Sequence, residues 1–178
     1  QTNWTGNLNE AQCALSAQSQ EQGACVLAER NCKFTTRAEC VSLSGNFNSG
    51  FLCTSRELNT TCTKTEETMC VDGKDEVYYK DSCGNKANIY DYTKLNNQTY
   101  WESVFTSEQS CNPINGNANS KTCGNCNRFL GGICSQANST IRPEKGNYYC
   151  KDTSCTLNGT KYKNGESFCV YDGKIDNG

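Results

Sequence analysis

Residues 77–92 read Val-Tyr-Tyr-Lys-Asp-Ser-Cys-Gly-Asn-Lys-Ala-Asn-Ile-Tyr-Asp-Tyr. Val77 to Lys80 is a run with high β-propensity and predicts a strand. Asp81 to Asn85 is a cluster of turn residues, and Ala87 to Tyr92 can return as a second strand, so the stretch predicts a β-hairpin. Its turn carries Cys83, one of 15 cysteines in a chain of 178 residues. The hairpin therefore belongs to a chain whose fold depends on its cysteines.

Cysteine at this density is typical of metal-binding proteins or of disulfide-stapled secreted proteins. The chain has no histidine, which weakens the metal interpretation. Disulfides persist in oxidising compartments, so we expect an extracellular or cell-surface protein. All the cysteines are predicted to form disulfides, with one left unpaired or interchain: Cys13, Cys25, Cys32, Cys40, Cys53, Cys62, Cys70, Cys83, Cys111, Cys123, Cys126, Cys134, Cys150, Cys155 and Cys169.

The odd cysteine has three possible explanations. It is a free thiol, it pairs with a cysteine beyond Gly178, or it links the chain to a neighbouring subunit. Cys111, Cys123 and Cys126 lie beside or within an Asn-rich stretch and are the first candidates.

The composition offers little core material. Leu, Ile, Val and Phe together number 26 of 178, while the net charge is only −2. Disulfides can replace part of the missing hydrophobic stabilisation, at about 2–4 kcal/mol each. No apolar run reaches the roughly 18 residues of a membrane span, and no basic patch suggests nucleic acid. The start at Gln1 suggests a mature chain or an excised fragment.

The first 45 residues have helical character. The apolar positions that recur at helix-like spacing are Leu8, Ala11, Leu15, Ala24, Leu27 and Ala28. Gly23 is expected to separate two short helices. Thr36-Arg37-Ala38-Glu39 is a capping-box pattern that predicts a third helix, with Gly45 as its stop.

Later elements are shorter. Thr99 to Glu102 forms a second capping-box pattern and predicts a short helix to about Thr106. The Asn- and Gly-rich stretch 112–127 predicts a long exposed loop or linker. Asn164-Gly165, between Thr160 to Lys163 and Glu166 to Tyr171, predicts a second hairpin.

We therefore predict a small disulfide-rich α+β fold: short N-terminal helices followed by β-hairpins and long irregular loops. Its expected divisions are a disulfide-stapled, partly helical region at 1–68, a hairpin and short helix at 69–111, and an Asn/Gly-rich loop with a cysteine-rich hairpin at 112–178.

Cys123-Gly124-Asn125-Cys126 is the one C-x-x-C motif. A redox motif would need a thioredoxin-like setting, and a zinc site would need a second close Cys or His pair. The favoured interpretation is two cysteines bonded to different, distant partners. Asp172 to Gly178 superficially resembles a calcium loop, but Lys174 stands at a ligand position. We predict no catalytic residue, no metal ligand and no cofactor.

Six aromatic residues are concentrated in one third of the chain: Tyr78, Tyr79, Tyr90, Tyr92, Tyr100 and Trp101. They either form a surface that stacks on glycans or contacts a partner, or they close a thin core over the disulfides. The core interpretation is favoured. Five Asn-x-Ser/Thr sequons are predicted glycosylation sites, with the second and fourth as the best candidates: Asn3, Asn59, Asn97, Asn138 and Asn158.

Two tracts, Val77 to Asn85 and Tyr149 to Gly173, resemble recurring cysteine-rich modules of large secreted or cell-surface proteins from small-genome archaea. The resemblance covers about a third of the chain. It implies an extracellular, glycosylated surface protein, and it brings no activity and no catalytic residues.

The leading hypothesis is an extracellular structural glycoprotein: a subunit of a surface layer, thread or filament held by disulfides. Its expected partners are further copies of the chain or other surface proteins, together with N-linked glycans. The alternative is a secreted binding module that recognises a glycan or a partner surface through the Tyr/Trp-rich region. An inhibitor or toxin-like effector, or a secreted enzyme without histidine, is a weaker possibility.

Overall fold

A computed structural model describes residues 9–163 and residue 166, and it shows a disulfide-rich protein built mostly of antiparallel β-hairpins. The two α-helices are α1 (Glu10–Ser19) and α2 (Arg37–Ser42). The strands are β1 (Gln22–Val26), β2 (Cys32–Thr36), β3 (Asn46–Ser49), β4 (Thr68–Cys70), β5 (Val77–Lys80), β6 (Lys86–Ile89), β7 (Gly132–Gln136), β8 (Tyr148–Asp152), β9 (Cys155–Leu157) and β10 (Thr160–Tyr162).

The strands form four small sheets. The N-terminal sheet has the order β2-β1-β3 and the central sheet the order β4-β5-β6. β7 pairs with β8, and β9 pairs with β10. Every one of these pairings is antiparallel, as expected where short connections join neighbouring strands.

The helix predicted after Gly23 is wrong, because this segment is β1, the middle strand of the N-terminal sheet. Gly23 lies inside the strand, where a Cβ would meet the backbone oxygen of Asn48 on β3 at 2.4 Å. Cys25 is fully buried and bonded to Cys40 on α2. Pairing on both sides and this bridge override the helix-like spacing of the apolar residues.

The other two N-terminal helices are present. Asn9 caps α1, yet none of the ten residues of α1 is buried. Thr36 caps α2 by accepting a hydrogen bond from the backbone N–H of Glu39, as the capping-box pattern predicts. After α2 the chain turns sharply at Gly45, where a Cβ would come within 2.3 Å of the Cys25 sulfur.

The central hairpin is confirmed as β5 and β6, with Tyr78 opposite Ile89 and Lys80 opposite Lys86. The second strand ends at Ile89 rather than at Tyr92. The buried carboxylate of Asp81 closes the turn by accepting hydrogen bonds from the backbone N–H groups of Cys83 and Asn85.

Two later predictions change in extent. The helix predicted from Thr99 is a single 3₁₀ turn, Thr99–Trp101. Thr160–Tyr162 is a strand as predicted, but it pairs with β9 across the Asn158-Gly159 turn, where both residues have positive φ. The predicted Asn164-Gly165 turn and residues 167–171 of its second strand lie outside the described residues.

A main core forms where the central sheet meets the segments that follow it. Its largest fully buried side chains are Trp101, Tyr79, Tyr90, Leu52 and Val77. The Tyr79 ring lies 5.3 Å from Tyr90 and 4.9 Å from Trp101, within the range of favourable aromatic pairs. Within residues 9–163, no helix combines the length and apolar character that crossing a bilayer requires.

Candidate functional site

Within residues 9–163, twelve cysteines form six disulfides. The pairs are Cys25–Cys40, Cys32–Cys53, Cys62–Cys83, Cys70–Cys134, Cys111–Cys123 and Cys126–Cys150. Six bridges in a chain of this size fit an extracellular protein, because disulfides survive in oxidising compartments.

The C-x-x-C motif is structural. Cys123 pairs with Cys111 and Cys126 pairs with Cys150, so its two cysteines have different partners, as the favoured interpretation predicts. Gly124 lies against the central hairpin. Its backbone N–H donates to the Tyr90 carbonyl at 2.7 Å, its own carbonyl accepts from Val77 N–H at 2.8 Å, and a Cβ would clash with both residues.

The odd cysteine is not Cys111, Cys123 or Cys126, contrary to expectation, because all three are bonded. Among the described residues, the free cysteines are instead Cys13 on α1 and Cys155 at the start of β9, and both are exposed. Cys169 lies outside the described residues. Sequence reasoning missed these two because disulfide partners are set by tertiary proximity.

One group of possible metal ligands exists among the described residues: Cys53, Cys62 and Asp81. Both sulfurs are already in disulfides, to Cys32 and Cys83, so neither offers a thiolate. Burial raises the pKa of Asp81, against the hydrogen bonds from Asn85 that lower it. The group is thus a buried junction of two disulfides and a carboxylate that closes a turn. The Asp172–Gly178 stretch lies outside the described residues.

The aromatic cluster is mainly core, as favoured. Tyr100 and Trp101, which the binding hypothesis required at the surface, are 2% and 1% exposed. The Tyr100 hydroxyl donates to the Ile89 carbonyl at 2.7 Å, and the Trp101 indole N–H donates to the Leu95 carbonyl at 3.0 Å. Burial raises the pKa of Tyr100 to about 12. A glycan cannot stack on these two rings, and Tyr92 is the one member of the cluster with large exposure, at 42%.

The Asn-rich stretch 112–127 is only in part the exposed loop that was predicted. Asn117 and Asn125 are buried, and their side-chain amides hold the loop together. Asn117 donates to the carbonyls of Asn112, Asn115 and Asn125, and Asn125 donates to those of Ser107 and Cys111. These amides replace strand pairing for backbone groups that would otherwise be buried without partners.

Four of the five predicted glycosylation asparagines lie among the described residues, and all are exposed: Asn59, Asn97, Asn138 and Asn158. Asn59 ends a 3₁₀ turn in the left-handed conformation. The Asn138 side chain accepts hydrogen bonds from the backbone of Thr140 and Ile141. Asn3 lies outside the described residues.

A groove of about 300 Å³ lies where β2, the central hairpin and the loop after Trp101 meet. We call it the Lys86 groove, lined by Phe34, Tyr78, Lys86, Asn88 and Phe105 among others. The Lys86 ammonium nitrogen lies 5.0 Å from the ring centroids of both Phe34 and Tyr78, a cation–π geometry. It also donates a hydrogen bond to Gln22 Oε1 at 3.2 Å.

The pKa of Lys86 in this groove is lower than that of an ordinary surface lysine. Burial lowers the pKa of Lys86, the nearby charge of Lys74 lowers it further, and Glu76 opposes the change. Tyr78 donates its hydroxyl hydrogen to Glu76 at 3.1 Å. Burial and Glu76 together raise the pKa of Tyr78. The groove therefore holds a partly desolvated cation between two aromatic rings.

Comparisons of the chain with protein-family models, with curated proteins and with solved structures found no match. The functional argument therefore rests on the chain's own residues.

Proposed function

We propose that the protein is an extracellular structural glycoprotein whose copies are joined through the exposed cysteines Cys13 and Cys155. The observation that carries the proposal is the position of these two thiols. They remain free and exposed in a chain that places twelve other cysteines in six bridges. An exposed thiol in an oxidising compartment is open to pairing with another chain.

The element that carries Cys13 supports this role. α1 has ten residues, none of them buried, and Leu15 on it is 66% exposed. A helix this short is marginal in water without packing. A contact with a second copy would cover its surface and bring its thiol to a partner.

Two different linking points favour a chain of subunits over a closed pair. Cys13 lies on the N-terminal helix and Cys155 on a hairpin at the other end of the sequence. A bond from Cys13 of one copy to Cys155 of the next leaves a free thiol at each end, so the contact is heterologous and can repeat.

The linking step is an oxidation. Two protein thiols lose two protons and two electrons as the S–S bond forms. A small-molecule disulfide takes up these protons and electrons and is reduced to two thiols. The exposed sequons fit the same setting, and we propose that Asn59 and Asn138 carry N-linked glycans. Digestion with an N-glycosidase should lower the intact mass, and Asn59→Gln and Asn138→Gln should each remove one mass step.

The test of the linkage compares non-reducing and reducing gels of the purified native protein. We expect a ladder of oligomers without reductant that collapses to monomer with it. Because every link needs Cys13 of one copy and Cys155 of the next, Cys13→Ser and Cys155→Ser should each leave only monomer, as should the double variant. Cys169→Ser, as the matched control, should leave the ladder intact.

A wild-type protein that runs as a monomer with free thiols at Cys13 and Cys155 would contradict the disulfide linkage. A ladder that persists in the double variant but disappears in Cys169→Ser would contradict the assignment of the linking residues.

A further inference from the structure

We propose that the Lys86 groove binds an acidic sugar residue, a hexuronate of an extracellular polysaccharide. This is a binding role separate from the disulfide linkage proposed above, and it uses none of the exposed cysteines. It also differs from a site on Tyr100 and Trp101, which are buried.

The first argument is an ammonium that has no carboxylate partner. None of the seven ion pairs found among residues 9–163 includes Lys86. Its hydrogen-bond partner is the neutral amide oxygen of Gln22. A partly buried ammonium without a direct ion-pair partner lowers stability, and the nearby charge of Glu76 offsets this only in part. A carboxylate placed in the groove would supply the missing charge-assisted hydrogen bond.

The second argument is the shape and lining of the groove. It lies at the junction of two sheets and a loop, where ligand sites commonly occur. The rings of Phe34, Tyr78 and Phe105 line it, and Val104 on its edge is 40% exposed. A pyranose ring has an apolar face of C–H groups that packs against such rings. At about 300 Å³ the groove is at the small end of ligand sites, suited to a single sugar unit.

The third argument separates a sugar acid from a simple anion. Two carboxylates, Glu76 and Glu108, also line the groove beside Lys74 and Lys86. They would repel any anion, the uronate carboxylate included, but a sugar acid, unlike sulfate or phosphate, also brings several hydroxyl groups that can donate hydrogen bonds to them. Asn88 shapes the wall. Its amide donates to the Tyr100 and Ser103 carbonyls and accepts from the Phe105 N–H, which fixes Phe105 at the groove.

The experiment measures binding of trigalacturonate to the whole protein by isothermal titration calorimetry, with neutral maltotriose and inorganic sulfate as comparison probes. We expect binding of trigalacturonate and none of maltotriose or sulfate at the same concentration. Lys86→Met keeps the aliphatic stem and removes the charge, and it should weaken binding about tenfold or more. Lys86→Arg should retain binding within a few fold, and Lys151→Met, at an exposed lysine, should bind as wild type.

A second measurement covers the case in which Lys86→Met does not fold. In the wild-type protein, the NMR signal of the Lys86 side chain should shift on addition of trigalacturonate, while that of Lys151 should not. Absence of trigalacturonate binding, equal binding in Lys86→Met, or equal binding of sulfate would overturn the proposal. Because the cysteines take no part, a failed gel test of the linkage leaves this result unaffected.

Discussion

The N-terminal sheet and the central sheet are both three-stranded and antiparallel, but different residue types form the buried clusters that stabilise them. The buried cluster beside the N-terminal sheet consists of Ala24 and three bonded cysteines, Cys32, Cys53 and Cys62. The main core beside the central sheet includes Leu52, Val77, three tyrosines and Trp101. The N-terminal sheet is stabilised chiefly by disulfides, which lower the conformational entropy of the unfolded chain. The central sheet is stabilised chiefly by apolar surface buried in the folded state.

This difference explains how a chain with so few aliphatic residues folds. Its fully buried tyrosine and tryptophan rings lie at one sheet, and the polar atom of each ring donates a hydrogen bond to a backbone carbonyl. Tyr79, for example, donates its hydroxyl hydrogen to the Asp91 carbonyl at 2.9 Å. The aromatic residues of the N-terminal sheet, Phe34 and Phe47, are only partly buried, and the buried cluster beside this sheet is mostly cystine.

The largest expected effect comes from disrupting the aromatic core beside the central sheet. Trp101→Ala should reduce the free energy of unfolding by about 3–5 kcal/mol, because it removes a fully buried ring and leaves a cavity. Chemical denaturation with disulfides intact measures this. Leu15→Ala on α1 is the control, and its loss should stay within about 0.5 kcal/mol. Equal losses in the two variants would show that the aromatic cluster is not the main core.

The next largest effect is expected from removing a disulfide of the N-terminal sheet. The double variant Cys32→Ala and Cys53→Ala lacks a disulfide whose cysteines have a sequence separation of 21. Loss of this disulfide should lower the free energy of unfolding by about 3 kcal/mol. Hydrogen exchange should show lost protection in β1, β2 and β3 while β5 and β6 stay protected.

Removal of the Cys126–Cys150 bridge, with a separation of 24, is the matched control. It should leave the amides of the N-terminal sheet protected. If those amides also stay protected without Cys32–Cys53, the bridge is not what stabilises that sheet.

A smaller effect concerns the helix attached to the N-terminal sheet. Thr36→Ala removes the oxygen that accepts from Glu39 N–H, and it should cost about 1 kcal/mol. Thr36→Ser keeps that oxygen and should cost much less. The two variants are compared by thermal unfolding, and an equal loss in both would indicate a packing role for the threonine methyl group rather than a cap.

The smallest effect depends on pH. Hydrogen bonds from Ser49 and then Arg37 lower the pKa of Glu21 below 4.5, so its contribution to stability is present above that pH and is lost as the pH falls through the folded-state pKa. Glu21→Gln should lower Tm by at most about 2–4 °C at pH 7, because the group is exposed. The difference should shrink in acid. A difference that is constant with pH would exclude this ion pair as its cause.

Local signals in the sequence predicted two elements correctly, the central hairpin and the cap of α2, whereas the helix predicted from Thr99 is only a 3₁₀ turn. Residues 77–92 contain both strands and the turn of the central hairpin, and Thr36 to Glu39 contain the cap of α2. The strand at Gly23–Val26 was missed because its conformation depends on partners in β2 and β3, and its apolar spacing also suits a helix.

The candidate sites depended more heavily on distant contacts. The pairing of Cys70 with Cys134 and the groove around Lys86 bring together residues far apart in sequence, and no local pattern marks them. Lys86 looks like an ordinary strand lysine until Phe34 from another sheet is placed beside it. Burial of Asn117 and Asn125 was missed for the same reason, since a polar composition by itself predicts exposure.

The order of the disulfides has a consequence for how the chain folds and oxidises as it is synthesised. Cys25, Cys32, Cys40 and Cys53 pair only among themselves, so the N-terminal sheet can be closed once these residues have emerged. Cys70 pairs with Cys134 across a separation of 64, and four other cysteines lie in between. The Cys70 thiol must stay reduced, or exchange out of wrong pairs, until Cys134 has been synthesised. Oxidation of the central region is therefore the step that depends most on a disulfide isomerase.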